Sequence, residues 1–180
     1  MGNSGSGKTR LARRLAGEFD VPHVELDGFM HYPDWQPSPV DEFRALVADA
    51  LSAAEREHDG WVVDGNYTHR LGRSVLDRAE LVVWLDYPRR VVFWRVLRRT
   101  AGRVLLRRTL WNGNRERVAS LFSRDPENNI LVWSWTNHDV VRRRCEELSS
   151  GDPRWLRVRR PGELSLLVDQ LRERAGASTR

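Results

Sequence analysis

Short apolar runs alternate with longer segments of helical spacing along this chain. Strands are predicted over 23–26, 61–63, 81–85 and 155–158. The run at 81–85 is apolar throughout, which is typical of a strand buried on both faces. Helices are predicted from the glycine-rich start to Phe19, from 39 onward, over 70–78, from 88 towards 109, over 126–148 and over 161–171. Strands that alternate with helices favour an α/β protein with a parallel, helix-covered sheet.

Three of the predicted strands end in an aspartate, namely Asp27, Asp64 and Asp86. Ligands of parallel sheets bind beyond the carboxyl ends of the strands, so these carboxylates are candidates for chemistry. Asp64 is the candidate for a metal site, holding magnesium through a bound water, and Asp27 is the candidate for orienting or deprotonating an acceptor hydroxyl. Since aspartate is also common in caps and loops, each has an incidental alternative, and Asp86 is equally well placed to cap the next helix.

The start of the chain carries the most specific motif, which matches the phosphate-binding pattern G-x-x-x-x-G-K-[ST] at every fixed position. The residues expected to cradle the phosphates are Gly2, Asn3, Ser4, Gly5, Ser6, Gly7, Lys8 and Thr9. Lys8 is the only lysine in the chain, and its compact ammonium suits a position between the β- and γ-phosphates. The motif predicts ATP and Mg²⁺ as ligands, with Lys8 catalytic and the Thr9 hydroxyl on the metal. The alternative is a flexible Gly/Ser-rich start with an incidental lysine.

A phosphate loop normally follows a buried strand and opens a helix. Here the helix follows, with Leu11, Leu15 and Phe19 on one face, but Met1 directly precedes Gly2. We therefore expect the native chain to carry about five to ten mostly apolar residues ahead of Met1, a strand's length.

Length and composition narrow the class of protein. The 180 residues are predicted to form one P-loop kinase-like domain over 1–180. The single cysteine, Cys145, excludes an internal disulfide, and no apolar run is long enough to cross a membrane, so a cytoplasmic protein without membrane contact is expected. The net charge of +5 permits nucleic acid as a partner without establishing it.

Arginines are concentrated in the segment 89–124, which holds eleven of them and a single acid, Glu116. Arg95, Arg99 and Arg103 are four residues apart and share one helical stripe. Such a block repels itself unless it meets anions, and phosphoryl transfer needs cations around the transferred group. We therefore predict an inserted helical lid over 89–124, with these three arginines as catalytic candidates. The alternative is a solvated basic face.

The same basic charge also suits RNA or DNA, with Trp111, Trp133 and Trp135 as platforms on which bases stack. The alternative for these tryptophans is a place in the hydrophobic core.

Several motifs together resemble the adenylate-kinase-like P-loop NTPases. They are the loop at 2–9, Leu26-Asp27 with Trp35-Gln36-Pro37, the run from Trp61 to Tyr67, the run from Val83 to Arg89 and the turn at 111–116. Within that family the chain is most similar to the group labelled DNA topology modulation proteins, also described as AAA-family ATPases or adenylate kinases. The similarity extends over most of the chain.

The resemblance implies a three-layer, nucleoside-monophosphate-kinase-like fold with a central parallel sheet and an arginine-bearing lid. It implies phosphate and metal roles for Lys8 and Thr9, and the role of strand-end carboxylate for Asp64. The chain departs from the family by lacking the first strand. It also has Asp64-Gly65-Asn66-Tyr67 where adenylate kinases proper have a Gly-Phe-Pro continuation. That second departure speaks against AMP as the acceptor.

Three classes of function are compatible with these observations. The favoured class is a kinase that moves the γ-phosphate of MgATP to a small-molecule or nucleotide acceptor. The second is a regulatory ATPase that acts on nucleic acid, and the third is a nucleotide-binding protein without turnover.

Overall fold

The protein contains two pairs of parallel strands. The computed structural model describes residues 1–106, 109–114 and 129–178, with side chains as far as Arg172. One pair joins β1 (His23–Glu25) to β2 (Val62–Asp64), and the other joins β3 (Val82–Leu85) to β4 (Trp155–Val158). The helices are α1 (Lys8–Phe19), α2 (Leu26–Met30), α3 (Val40–Glu57), α4 (Thr68–Leu71), α5 (Ser74–Arg78), α6 (Arg89–Leu105), α7 (Ile130–Thr136), α8 (His138–Ser149) and α9 (Glu163–Ser178). The predicted α/β class is confirmed, and all four predicted strands are present.

The chain passes directly from β1 into a helical turn. Because α2 starts at Leu26, Asp27 lies in the first turn of a helix and not at the end of the strand. A carboxylate is favourable there, since it meets the positive end of the helix dipole. Helix α3 has Pro39 at its cap position; the preceding serine, Ser38, does not cap it, and Ser38 Oγ has no hydrogen-bond partner among the described residues.

Short breaks interrupt two of the predicted helices. Gly72 adopts a positive φ of +60° and separates α4 from α5, within the segment expected to form one helix over 70–78. Asn137 separates α7 from α8 within the helix expected over 126–148, whose first residues, 126–128, lie outside the described ranges. Hydrophobic periodicity continued through both breaks, which is why the sequence did not show them.

Two apolar clusters hold the elements together. One packs α1 and α6 against β3 and α9, through Leu11, Leu15, Leu85, Val92, Val96 and Val168. The other packs α3 against β1, through Val24, Phe43, Val47 and Leu51. Apolar side chains three and four residues apart lie on one side of a helix, so both helix faces were predictable. No helix in the described ranges combines the length and apolarity that crossing a membrane requires.

Met1 and Gly2 run alongside β3 in the manner of a parallel strand. The Met1 amino group donates to Val83 O at 2.7 Å, and Leu85 N donates to Met1 O at 3.1 Å, which is the pairing of a parallel ladder. On the other side, the Asn66 side-chain amide pairs with both backbone groups of Gly2. Burial, with the nearby Lys8 charge, lowers the pKa of the Met1 amine to about 5. A strand ahead of Met1 stays a prediction.

Helix α6 forms the first part of the segment predicted as a lid. Val92, Val96 and Thr100 on its inner face are buried, and the helix ends at Leu105, short of the expected Thr109. Residues 107–108 and 115–124 of the predicted lid, with Glu116 among them, lie outside the described ranges. Closure of a lid therefore stays a prediction.

Candidate functional site

The loop at 2–9 turns sharply into α1. Gly5 and Gly7 adopt φ values of +82° and +101°, a region that side-chain-bearing residues rarely occupy. The first hydrogen bond inside the helix is donated by Leu11 to Gly7 O at 3.0 Å. The amides of Lys8, Thr9 and Arg10 therefore precede the helical ladder and point out of its amino-terminal end, where the helix dipole favours anions.

The loop packs closely against α6, and the absence of a side chain at Gly5 allows this close approach. A Cβ atom on Gly5 would lie 2.3 Å from Val96 Cγ2 and 2.9 Å from Val92 O, so any side chain at this position would collide with the helix. Two of the predicted arginines also reach the loop from α6: Arg95 Nη1 donates to Ser6 O at 3.1 Å, and Arg99 Nη2 donates to Ser4 Oγ at 3.2 Å.

Lys8 folds back over the loop. Its Nζ donates to Gly2 O at 2.8 Å and to Asn3 O at 3.1 Å. Burial lowers the pKa of Lys8; the charges of Asp27 and Asp64 oppose this effect and that of Arg99 adds to it. Within the described part of the chain, Lys8 forms no ion pair. The loop thus holds a partly desolvated cation, and within the described ranges only carbonyl oxygens contact it.

Asp64 lies beside Thr9, the other residue that the sequence names as a candidate for a metal site. Asp64 is only 5% exposed, and its Oδ1 is 3.8 Å from His23 Nε2. Burial by itself raises the pKa of Asp64, but the nearby polar groups of His23 and Thr9, with the charge of Lys8, outweigh it and lower the pKa. The carboxylate is therefore ionised at neutral pH.

The residues at this position fit magnesium. Asp64 Oδ2 is buried and has no hydrogen-bond partner in the described ranges, so one carboxylate oxygen is available to a metal-bound water. In the same ranges no three side chains of the His, Cys, Asp or Glu type form a complete metal cage. Mg²⁺ does not require such a cage, because it commonly binds through one or two protein oxygens together with waters and substrate phosphates.

Asp27 accepts a hydrogen bond that the sequence did not predict. The Tyr67 hydroxyl donates to Asp27 Oδ1 at 2.6 Å, and His31 Nε2 lies 3.4 Å from the same hydroxyl. Burial, with the nearby carboxylate of Asp27, raises the pKa of Tyr67 well above its usual range, so the phenol remains a donor at working pH. The negative charge of Asp27 also acts to raise the pKa of Lys8 in the loop.

The remaining predicted residues are placed differently. Arg103 lies about 12 Å further along α6 than Arg95, as eight helical residues require. Its guanidinium is 5.9 Å from the centre of the Trp111 ring. Asp86 does not cap α6, whose cap position is Pro88; it forms an ion pair with Arg157 at 2.6 Å.

The two tryptophans of α7 differ in exposure. Trp135 is 43% exposed, with Arg89 over its ring at 5.3 Å, whereas Trp133 is partly buried. Trp135 is therefore on the surface and not in the core.

Sequence reasoning missed the polar residues that follow β2. Asn66 pairs with Gly2 and Tyr67 with Asp27, so two consecutive side chains contact the loop at 2–9 and the candidate carboxylate, respectively. The available signal was their position, directly after a strand-end aspartate. His23 was also missed, since a histidine at the start of a strand has no pattern of its own.

Comparison with known proteins gives no family for this chain. No protein-family model matches it, and no curated protein matches it significantly. A functional conclusion therefore depends on the geometry of the site.

Proposed function

We propose that this protein is an ATP-dependent phosphotransferase that uses the loop at 2–9 to bind the triphosphate of MgATP. The observation that carries the proposal is Lys8. Its ammonium is partly desolvated and lies at the amino-terminal end of α1, and among the residues that the structure describes it contacts only the carbonyls of Gly2 and Asn3. A cation in this position is stabilised by a bound polyanion, and the outward-pointing amides of α1 supply further donors.

A three-layer, nucleoside-monophosphate-kinase-like arrangement is the fold that we propose for the whole chain. The two parallel strand pairs, with helices on them, support it. So does the position of Met1 and Gly2 beside β3, because a phosphate loop in such folds leaves the end of a parallel strand. A cytoplasmic location is also proposed, since the free thiol of Cys145 suits a reducing compartment.

Several groups are arranged to stabilise the transferred phosphate. Lys8 exchanges its carbonyl partners for phosphate oxygens, and Arg95 and Arg99 contribute positive charge from α6. Thr9 and Asp64 are the residues that would hold magnesium, which neutralises charge on the triphosphate when bound. Positioned cations around the transferred group are the main protein contribution to phosphoryl transfer.

The acceptor side is assigned to Asp27. In the proposed reaction an acceptor hydroxyl oxygen forms a bond to the γ-phosphorus, while the bond from that phosphorus to the bridging oxygen breaks and ADP leaves. The hydroxyl proton passes to the Asp27 carboxylate, which Tyr67 holds in place through Oδ1. A carboxylate fixed by a neighbouring hydroxyl is well suited to such a transfer.

The test is ADP release from MgATP by the 180-residue protein, alone and with panels of nucleosides, nucleotides, sugars and DNA. Stimulation by one class of small acceptor, with the phosphorylated product identified by mass spectrometry, is the expected result. Stimulation by DNA without a phosphorylated product would instead establish the nucleic-acid-dependent ATPase. Failure to bind MgATP at all would overturn both.

A further inference from the structure

A tight turn at 111–114, here called the clasp, holds the loop that follows α2. Asn112 Nδ2 donates to Gly28 O at 3.1 Å and to His31 O at 2.6 Å. These bonds join segments that are more than 80 residues apart in the chain. The clasp thus fixes the backbone next to Asp27.

The second asparagine of the clasp supports an unusual backbone conformation. Asn114 Nδ2 donates to Tyr32 O at 2.8 Å, and Asn114 Oδ1 accepts from Trp35 N at 3.0 Å. Trp35 and its neighbour Asp34 have φ values of +60° and +58°, which cost energy for residues other than glycine. Strained backbone of this kind is concentrated at ligand sites, where the surrounding structure holds it in place.

The clasp also brings two flat rings close together. The rings of His31 and Trp111 have centroids 6.3 Å apart and planes inclined by 32°, and Trp35 meets His31 edge-on at 5.3 Å. A third ring inserted between two others needs about 7 Å, twice the contact distance between carbon atoms. The space between the His31 and Trp111 rings, here called the slot, therefore approaches the spacing that a stacked ring needs.

The slot lies next to the proposed base. Two successive contacts, 3.4 Å from His31 Nε2 to the Tyr67 hydroxyl and 2.6 Å from that hydroxyl to Asp27 Oδ1, join one wall of the slot to the carboxylate. The other wall, Trp111, packs on Gly28, where an added Cβ would lie 3.5 Å from the Trp111 ring.

We propose that His31 and Trp111 bind the acceptor by stacking on its ring, and that the acceptor is a nucleoside-like alcohol. Such a molecule has a planar heterocycle, a sugar-sized spacer and a hydroxyl group that receives the phosphate. This inference rests on the proposed phosphotransferase function. It deepens that function by naming the class of acceptor, and it assigns the clasp a positioning role.

The test is direct binding of adenosine, guanosine, cytidine and uridine to the full protein by calorimetry, with ribose as the ringless control. At least one nucleoside is expected to bind and ribose is not. Trp111→Leu should weaken binding about tenfold or more, as expected for loss of one stacking partner, whereas Trp111→Phe should keep most of it. Trp94→Leu is the matched control, because Trp94 is 60% exposed on α6.

The clasp is tested with Asn112→Gly, which suits the φ of +54° at this position and removes only the side-chain bonds. Weaker nucleoside binding with unchanged affinity for MgATP is expected. Equal loss of both affinities would show general damage and overturn the positioning role. Circular dichroism of each variant separates loss of the site from loss of the fold.

Four outcomes would overturn the stacking site: no nucleoside binds, ribose binds as well as the nucleosides, Trp111→Leu has no effect, or single-stranded DNA binds Trp111 more tightly than any nucleoside. If a ringless alcohol is phosphorylated instead, the proposed function stands and this inference fails. If nucleosides bind through Trp111 but MgATP is not turned over, the stacking site stands and the proposed function fails.

Discussion

The hydroxyl of Tyr67 donates a 2.6 Å hydrogen bond to Asp27, and this bond ties the segment after β2 to the first turn of α2. The phenol also packs edge-on against Phe43, with ring centroids 5.3 Å apart. Tyr67 is thereby fixed by packing at one end and by the carboxylate at the other. This fixed phenol is placed to orient the Asp27 carboxylate.

Tyr67→Phe removes the hydroxyl and keeps the ring that packs on Phe43. In the proposed reaction, kcat for phosphoryl transfer should fall about three- to tenfold, which corresponds to one lost hydrogen bond. The KM for MgATP should not change, because Tyr67 lies on the acceptor side. Steady-state kinetics with the identified acceptor measures both constants, and an unchanged kcat would remove Tyr67 from the site.

Arg99→Ala tests the role of α6. Its guanidinium reaches Ser4 in the loop, so its removal should lower turnover of MgATP at least about tenfold, since a positioned cation near the transferred phosphate is lost. Arg98→Ala is the matched control, because Arg98 is the next residue along α6 and is exposed. If both variants have the same activity, the arginine stripe acts only as a basic surface.

The lowered pKa of Lys8 predicts that the affinity for MgATP depends on pH. Its pKa lies below the ordinary lysine value of 10.5, chiefly because of burial, and the bound triphosphate requires the charged form. Affinity for MgATP should therefore fall as pH rises through the lowered pKa, and so at lower pH than an exposed lysine would show. Lys8→Arg should lose this dependence even where its binding is weaker, because a guanidinium stays charged. Calorimetric titration across alkaline pH measures the effect.

As pH rises, the stability of the ligand-free protein should change in the direction opposite to that of the affinity for MgATP. Between the lowered pKa of Lys8 and 10.5, the unfolded chain binds more protons than the folded one. The free energy of unfolding should therefore rise with pH through that window. Urea titrations at several pH values compare wild type with Lys8→Arg, and a Lys8 contribution of the other sign would contradict its burial.

An extension ahead of Met1 should stabilise the protein. The Met1 amine occupies the place of a backbone amide in the ladder with β3, and burial lowers its pKa to about 5. Joining about five to ten mostly apolar residues to Met1 replaces this amine by an amide and continues the strand. The melting temperature should rise and MgATP should bind more tightly. An equally long Gly/Ser extension is the control, and equal effects of both would show that no strand forms.

The sequence revealed the parts of the site that depend on local pattern. The glycine spacing of the loop, the apolar face of α1 and the position of Asp64 at a strand end all follow from residues close together in the chain. The contacts of Asn66 with Gly2 and of Asn112 with Gly28 join residues 64 and 84 positions apart, and no periodicity reports such pairs. The helix that carries the arginine stripe was predictable from the sequence. The contacts of Arg95 and Arg99 with the loop were not.

Turnover of MgATP by Lys8→Ala, measured beside wild type with the same acceptor, tests the central claim most directly. The loop geometry predicts that wild type releases ADP and that Lys8→Ala is slower by about a hundredfold or more, with unchanged circular dichroism, because the cation that meets the transferred phosphate is gone. Lys8→Arg should be impaired less severely. Wild-type turnover by Lys8→Ala would contradict the assignment of this loop as the phosphate-binding site, and with it the proposed kinase.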